Sequence, residues 1–233
     1  MSIHILVAIN EKELADVIAV YLTNDGYTVH KFYTGLEALS CIENTTLDLA
    51  ILDALLPDMD GFQICKRIRA KSYYPIIMLS AKSDDSDKIM GLTIGADDYI
   101  TNPITPLEVA ARAKTQLRRY MQYNQPAPRQ VETAHEYAIS ELVINKDSHK
   151  CTLSGRELHL TPIEFSILWY LCEHQGIVIS SEELFETVWG ERALIDNNTV
   201  MAHIGRLREK MSEPARNPKF IKTVWGVGYT IEK

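Results

Sequence analysis

The first half of the chain alternates between short apolar runs and segments in which apolar residues recur at helical spacing. One such segment places Leu14, Val17 and Ile18 on one side of a helix. Strand-length apolar runs joined by helices are typical of parallel β–α–β units. We therefore predict an α/β domain: a doubly wound, five-stranded parallel sheet with helices on both faces. The predicted strands cover residues 3–9, 27–32, 47–53, 75–79 and 98–101.

The pattern changes after a helix predicted from about residue 106 to residue 121. Residues 122–135 contain two prolines and few apolar residues, which is typical of a linker. Residues 137–160 form short β-like runs, three helices follow, and the chain ends in a predicted hairpin around Gly226 and Gly228. We therefore predict a first domain over 1–121, a linker over 122–135 and an α+β domain over 136–233.

Two of the C-terminal helices begin with recognisable capping residues. Thr161, Pro162 and Glu164 stand where an N-cap, a first helical residue and an N3 acid are expected, which predicts a capping box. Ser180 and Glu183 repeat the same spacing. These residues fix the starts of the first two helices.

The third C-terminal helix, from about residue 198 to residue 211, has one apolar face, made of Val200, Ile204, Leu207 and Met211. The opposite face is small, and a small face lets a helix backbone approach another surface closely. Short polar and cationic side chains at its flanks suit phosphates and base edges, with Arg206 as the candidate for guanine. The alternative is an amphipathic helix whose basic face is only solvated. The small residues are Asn198, Ala202 and Gly205, flanked by Thr199, His203, Arg206 and Lys210 on one side and by Arg208 on the other.

Charge and composition narrow the classes of function. The net charge is -7, which argues against a generally basic nucleic-acid binder. Residues 203–222, however, contain six Lys or Arg and two acids, a local net charge of +4. The four cysteines form no C-x-x-C pair, and no apolar run is long enough to span a membrane. We therefore expect a cytoplasmic protein with a local DNA-binding patch.

Polar residues follow the predicted parallel strands at their carboxyl ends, where chemistry occurs in doubly wound sheets. These residues are Asn10, Glu11, Asp53, Ser80 and Asn102. An aspartate at such a rim can accept a phosphoryl group, and a hydroxyl such as that of Ser80 can bond a phosphoryl oxygen. Taken alone, Asp53 is better explained as an aspartate that caps a loop.

The longer sequence strings resemble a known family over essentially the whole chain. LDLAILDALLPDMDGF (47–62) and GLTIGADDYI (91–100) resemble a response-regulator receiver, a flavodoxin-like domain. LTPIEFSILWYLCEHQG (160–176) and NNTVMAHIGRLREKM (197–211) resemble the winged-helix effector domain of the OmpR/PhoB family. Within this family, YPIIML (74–79) and KFIKTVWGVGY (219–229) resemble the regulators of inducible vancomycin resistance.

The resemblance implies a two-component regulator of transcription, with a sensor histidine kinase, promoter DNA and RNA polymerase as partners. Asp53 would be the phosphoacceptor, and Ser80 with Tyr99 would be the switch pair. Mg²⁺ would be held by Asp53, Asn10 and the backbone carbonyl of Leu55. Lys88, Asp98, Glu108 and Arg112 would form a homodimer interface through the receiver. The expected DNA contacts are Asn198, Thr199, Ala202, His203, Arg206, Arg208, Lys210, Lys222, Thr223 and Trp225.

The phosphorylation pocket departs from the family pattern at three positions. Receivers carry two acids after the first strand, where this chain has Ile9 and Asn10. They carry a lysine after the last strand, where this chain has Asn102. Isoleucine cannot ligate a metal, and the asparagine carbonyl is a poorer ligand than carboxylate for a hard dication. We therefore expect weak Mg²⁺ binding and impaired phosphorylation, unless Glu11 compensates.

Three functions remain open on the sequence alone. The first is a DNA-binding regulator phosphorylated normally or weakly. The second is a regulator with a pseudo-receiver that dimerises without phosphate. The third is an enzyme that forms an aspartyl-phosphate on the same kind of sheet, which is disfavoured because a helix–hairpin module has no role in such an enzyme.

Overall fold

The computed structural model describes residues 2–81, 91–124, 135–190, 197–214 and 216–232. The chain forms two compact units, Met1–Tyr120 and Met121–Lys233, and each contains an apolar core. Among the described residues, no helix combines the length and apolarity needed to cross a membrane.

The first unit contains a five-stranded parallel sheet in the order β2–β1–β3–β4–β5. This order is that of a flavodoxin-like doubly wound sheet, so the predicted architecture is confirmed. The strands are β1 (His4–Ala8), β2 (Thr28–Phe32), β3 (Leu49–Asp53), β4 (Ile76–Ser80) and β5 (Asp98–Thr101).

Helices cover the sheet and bury its central strands. The helices are α1 (Lys12–Asn24), α2 (Gly35–Asn44), α3 (Gly61–Arg69) and α4 (Pro106–Asn124), and residues 91–94 are also helical. Apolar residues of α1 and α4 share one core cluster with alternate residues of β1, β3 and β4. The helices α2 and α3 contact each other and the strands β1 and β3.

The second unit is α+β, with a winged-helix arrangement as predicted. A four-stranded antiparallel sheet comprises β6 (Glu136–Ile139), β7 (Leu142–Asn145), β8 (Lys150–Leu153) and β9 (Arg156–Glu157). Three helices follow: α5 (Pro162–Glu173), α6 (Ser181–Trp189) and α7 (Asn197–Lys210). The C-terminal hairpin of β11 (Ile221–Val224) and β12 (Gly228–Ile231) pairs with β10 (Ile179–Ser180).

The predicted helix starts are present, with one difference. Thr161 and Glu164 form the full capping box at the start of α5. Ser180 caps α6 by accepting a hydrogen bond from the Glu183 amide at 3.0 Å. The Glu183 carboxylate instead accepts a hydrogen bond from the Tyr170 hydroxyl at 2.8 Å, because α5 and α6 pack against each other.

Candidate functional site

The β3 strand delivers Asp53 to the carboxyl-end rim of the sheet, where it is half-buried. Its carboxylate accepts hydrogen bonds from two backbone amides, that of Leu55 at 3.0 Å and that of Asn10 at 3.3 Å. The rim therefore brings Asn10 and Asp53 together, through the Asn10 backbone rather than its side chain.

Ionisation of Asp53 is disfavoured where it stands. Burial raises the pKa of this carboxyl, the amides of Leu55 and Asn10 partly offset the rise, and the negative charge of Glu11 adds to it. Glu11, although exposed, is thus close enough to act on Asp53 electrostatically. Receiver phosphorylation needs positive charge at this point, and the described rim supplies an additional negative one.

The residues at the rim fit a magnesium ion poorly. Ile9 is 1% exposed and contributes no oxygen ligand from its side chain. The loop between β3 and α3 carries two acids, but both cap helices. Asp58 accepts hydrogen bonds from the Gly35 and Leu36 amides at 2.6 and 3.0 Å, and Asp60 accepts one from the Phe62 amide. Among the described residues, no group of three or more His, Cys, Asp or Glu side chains is arranged to hold a metal.

Asn102 occupies the position after β5, and its amide nitrogen donates to the Ala81 carbonyl at 3.0 Å. A neutral amide cannot replace the charge of a lysine beside a phosphoryl group. Ser80 and Tyr99, the expected switch pair, are 2% and 5% exposed, so both lie inside the unit.

Two residues that shape the rim, Gly61 and Asp58, were not identified from the sequence. A Cβ atom on Gly61 would lie 2.0 Å from the Asp53 carbonyl oxygen, so only glycine allows α3 to begin this close to the acceptor strand. Asp58 fastens the same loop to the start of α2. The tight DMDG turn after a rim aspartate was the available signal for Gly61. No local signal marks Asp58, because its partners are more than 20 residues away.

The predicted interface residues lie around β5 and α4. Arg112 pairs with Asp98 at 3.2 Å and with Glu108 at 3.0 Å, all within this chain. The fourth residue, Lys88, lies outside the described residues. The structure therefore brings three of the four predicted residues together.

Arg206 does not lie at the outer flank of α7, where the sequence placed it, and its contact with base edges stays a prediction. Arg206 is 6% exposed, because its guanidinium faces the fully buried Glu164 of α5, with Nε 3.6 Å from Oε1, and bonds His203. Burial opposes ionisation of Glu164, but the charges of Arg206 and Lys210 outweigh it and hold the pKa of this carboxyl below its ordinary value. The buried side of α7 is thus wider than the apolar stripe. It also includes Thr199, Ala202 and His203.

Two further residues predicted to contact DNA, Arg208 and Lys210, form hydrogen bonds within the protein. Arg208 donates to the Ile221 carbonyl and to the Thr223 hydroxyl, which ties α7 to β11. Lys210 donates to Glu164 at 2.7 Å and to the His159 carbonyl.

Some of the predicted DNA contacts are at least partly accessible to solvent. Asn198 and Lys222 are half-buried, and Trp225 at the hairpin tip is 90% exposed. The sequence did not single out Met201, a 48% exposed residue on the outer face of α7.

Comparison with known proteins decides the family. Residues 5–114 match the family described as response regulator receiver domain, and residues 155–231 match transcriptional regulatory protein, C terminal. Regulatory protein VanRc of Enterococcus gallinarum is 56% identical over 233 residues, and regulatory protein VanR of Enterococcus faecium is 53% identical over 236. Both alignments cover the whole of each chain. The chain belongs to the OmpR/PhoB family of response regulators.

Solved structures agree with this assignment. The response regulator DrrB of Thermotoga maritima, an OmpR/PhoB homolog, is 31% identical with a TM-score of 0.52. A single-residue mutant of RitR is 26% identical with a TM-score of 0.72, and both matches cover each chain completely. This response regulator is a DNA-binding regulator of transcription, not an enzyme, and promoter DNA and a sensor kinase are its partners. The predicted likeness to VanR is confirmed.

Proposed function

We propose that this response regulator binds promoter DNA as a homodimer and activates vancomycin-resistance genes, while phosphorylation of its receiver is impaired. The observation that carries the proposal is the contrast between its two units. The second unit has the helices and hairpin of a DNA-binding domain, whereas at the first unit's rim positions 9, 10 and 102 hold Ile, Asn and Asn in place of two acids and a lysine.

The names of the full-length relatives support the target genes. VanRc and VanR match every part of this chain at 56% and 53% identity. We infer that this regulator acts on the same class of gene and, once bound at a promoter, contacts RNA polymerase. The linker predicted over 122–135 overlaps the end of α4, which extends to Asn124, and would join the domains over 1–121 and 136–233.

Electrostatics supports the impaired phosphorylation. Transfer joins a negatively charged phosphoryl group to the Asp53 carboxylate oxygen and releases the donor's leaving group, at a point where burial already disfavours negative charge by raising the pKa of Asp53. A dication and a cationic side chain normally stabilise that charge. Here Ile9 is buried, Asn10 is neutral, and Asn102 donates only an amide to Ala81. Phosphorylation at this rim should therefore be slow, and any Mg²⁺ should be held weakly by Asp53, Asn10 and the Leu55 carbonyl.

A gel-shift assay with promoter DNA of vancomycin-resistance genes tests the proposal. Wild type and Asp53→Ala are compared, each with and without acetyl phosphate and Mg²⁺, against a scrambled duplex. We expect both proteins to shift the promoter specifically and to respond little to the phosphodonor. A large gain in wild-type affinity that Asp53→Ala lacks would contradict impaired phosphorylation. Equal binding of promoter and scrambled DNA under every condition would contradict specific regulation.

A further inference from the structure

The outward face of α7 is not cationic. Among residues 198–210, the exposed positions are Met201, Gly205 and Glu209, and the half-buried ones are Asn198, Arg208 and Lys210. The polar group that suits guanine best is a guanidinium, which can bond the O6 and N7 atoms together. Neither arginine of this helix presents a free guanidinium to solvent.

Both arginines are held by the protein itself. Arg206 is 6% exposed and faces Glu164 and His203. Arg208 donates through Nε and Nη2 to the Ile221 carbonyl and through Nη2 to the Thr223 hydroxyl at 2.8 Å. Releasing Arg206 would leave the buried Glu164 without one of its two cations, and releasing Arg208 would leave the Ile221 carbonyl without these donors, and both changes are costly.

Met201 and Gly205 leave a different kind of surface on the same face. Met201 is 48% exposed and lies one turn before Gly205. A Cβ atom at Gly205 would meet no described atom within 4 Å, so glycine is not required there by packing within the protein. Without a side chain at the centre of the face, the helix backbone can lie close to a groove floor, within reach of a neighbouring methionine.

The chemistry of the major groove identifies what such a side chain can read. The C5 methyl group of thymine is the apolar group that base pairs present there, and apolar side chains contact it. Residues near the N-terminus of a recognition helix make the base contacts, which is where Met201 lies. Methionine is flexible and polarizable, so it adapts to such a surface. Glu209, in the last turn, carries a carboxylate, which can accept a hydrogen bond from a base amino group but cannot donate one to the O6 or N7 atom of guanine.

We propose that Met201 contacts thymine methyl groups, so that α7 selects A·T pairs by apolar contact and not guanine through an arginine. This inference rests on the proposed DNA binding. Phosphate contacts then come from outside the face, where Arg216 is exposed and Lys222 is half-buried. Such contacts strengthen binding to all sequences alike.

The experiment uses base analogues that remove one group at a time. Full-length protein, with acetyl phosphate and Mg²⁺, first selects duplexes from a random-sequence library. In a selected duplex each thymine is then replaced singly by deoxyuridine, which lacks only the methyl group. Each guanine is replaced by 7-deazaguanine, which lacks the N7 acceptor. Affinities are measured for wild type, Met201→Ala and Met201→Leu, with Val20→Ala as an exposed apolar control in the first unit.

At one or more thymines, deoxyuridine should weaken wild-type binding about fourfold, the effect of one buried methyl-sized group. Met201→Ala should bind the thymine and deoxyuridine duplexes equally, while Met201→Leu and Val20→Ala keep the difference. The absence of a deoxyuridine effect at every thymine would overturn the inference, most clearly if 7-deazaguanine weakens binding. A deoxyuridine effect unchanged in Met201→Ala would also overturn it. In both cases specific DNA binding stands, whereas failure to enrich any sequence would contradict both proposals.

Discussion

Gly205 lies in the middle of α7, where glycine lowers helix stability and where a Cβ atom would contact no described atom. Gly205→Ala should therefore stabilise the second unit by about 0.5–1 kcal/mol. It should at the same time weaken specific DNA binding, because the added methyl group holds the helix away from the groove. Thermal unfolding and DNA titration of the same preparation measure the two effects.

Gly26→Ala is the matched control for this change. Gly26 also has no described atom near a Cβ, but its φ of 87° is a conformation that alanine rarely adopts. Gly26→Ala should lower stability and leave DNA affinity unchanged. If Gly205→Ala gained stability with no loss of affinity, the close approach of α7 to DNA would be refuted.

Asp53 and Asp58 are neighbouring acids whose pKa values shift in opposite directions. Burial raises the pKa of Asp53, so the protonated carboxyl favours the folded state. This contribution to stability is fully present below the pKa of the unfolded chain, about 3.9, and is lost as the pH rises through the folded pKa. At neutral pH Asp53→Asn should therefore raise the thermal midpoint by a few degrees. The gain should vanish below about pH 4. Scanning calorimetry across pH measures it.

Asp58→Asn should change the thermal midpoint at neutral pH in the opposite direction. Hydrogen bonds from the Leu36 and Gly35 amides lower the pKa of Asp58, so its ionised form stabilises the fold above the unfolded pKa. That stability is lost as pH falls through the folded pKa. Asp58→Asn should thus lower the midpoint at neutral pH and approach wild type in acid. Two variants with the same sign of change would contradict the assigned environments.

At the scale of elements, the buried charges between α5 and α7 hold the DNA-binding unit together. Arg206→Ala leaves the buried Glu164 with Lys210 as its one remaining cation among the described side chains. This change should destabilise the second unit by about 2 kcal/mol. Urea unfolding followed by tryptophan fluorescence isolates the effect, because all three tryptophans, Trp169, Trp189 and Trp225, lie in that unit.

Arg216→Ala is the control, since Arg216 is exposed in the same unit and its removal should change stability by less than about 0.5 kcal/mol. If Arg206→Ala weakened DNA binding while the urea midpoint stayed unchanged, this result would support a contact between Arg206 and the bases. The two outcomes separate a residue that supports α7 from one that contacts DNA.

Periodicity predicted the elements well because it reports burial directly. The helix expected over 198–211 is observed as Asn197–Lys210, and the stripe of Val200, Ile204, Leu207 and Met211 is buried. The helix-flanking cations could not be placed in the same way. Arg206 turns inward because Glu164, an N3 capping acid, is fully buried by tertiary packing and requires a cation. Sequence spacing shows the cap but not its burial.

The rim was predicted better than the DNA face, for a physical reason. The polypeptide direction of parallel strands fixes where Asp53, Ser80 and Asn102 must lie, whatever the side chains do. The missing charges at positions 9, 10 and 102 could also be read directly from residue types. What the sequence could not show is that Asp58 and Asp60 cap helices and therefore do not replace the missing ligands.

At the scale of the whole molecule, we expect two copies to meet through β5 and α4. Arg112 already pairs with Asp98 and Glu108, and exchange of such pairs between copies gives a symmetric interface. Arg112→Glu should lower dimerisation in sedimentation velocity, and adding Asp98→Arg should partly restore it. Strictly additive effects of the two changes would count against this pairing.

The proposal that phosphorylation is impaired is tested most directly by the mass of the intact protein. Wild type, Asp53→Ala and the triple variant Ile9→Asp, Asn10→Asp, Asn102→Lys are incubated with acetyl phosphate and Mg²⁺, and intact mass is followed over time. We predict little phosphoryl adduct on wild type, none on Asp53→Ala and faster, fuller addition to the triple variant. Rapid stoichiometric addition to wild type that is lost in Asp53→Ala would contradict it.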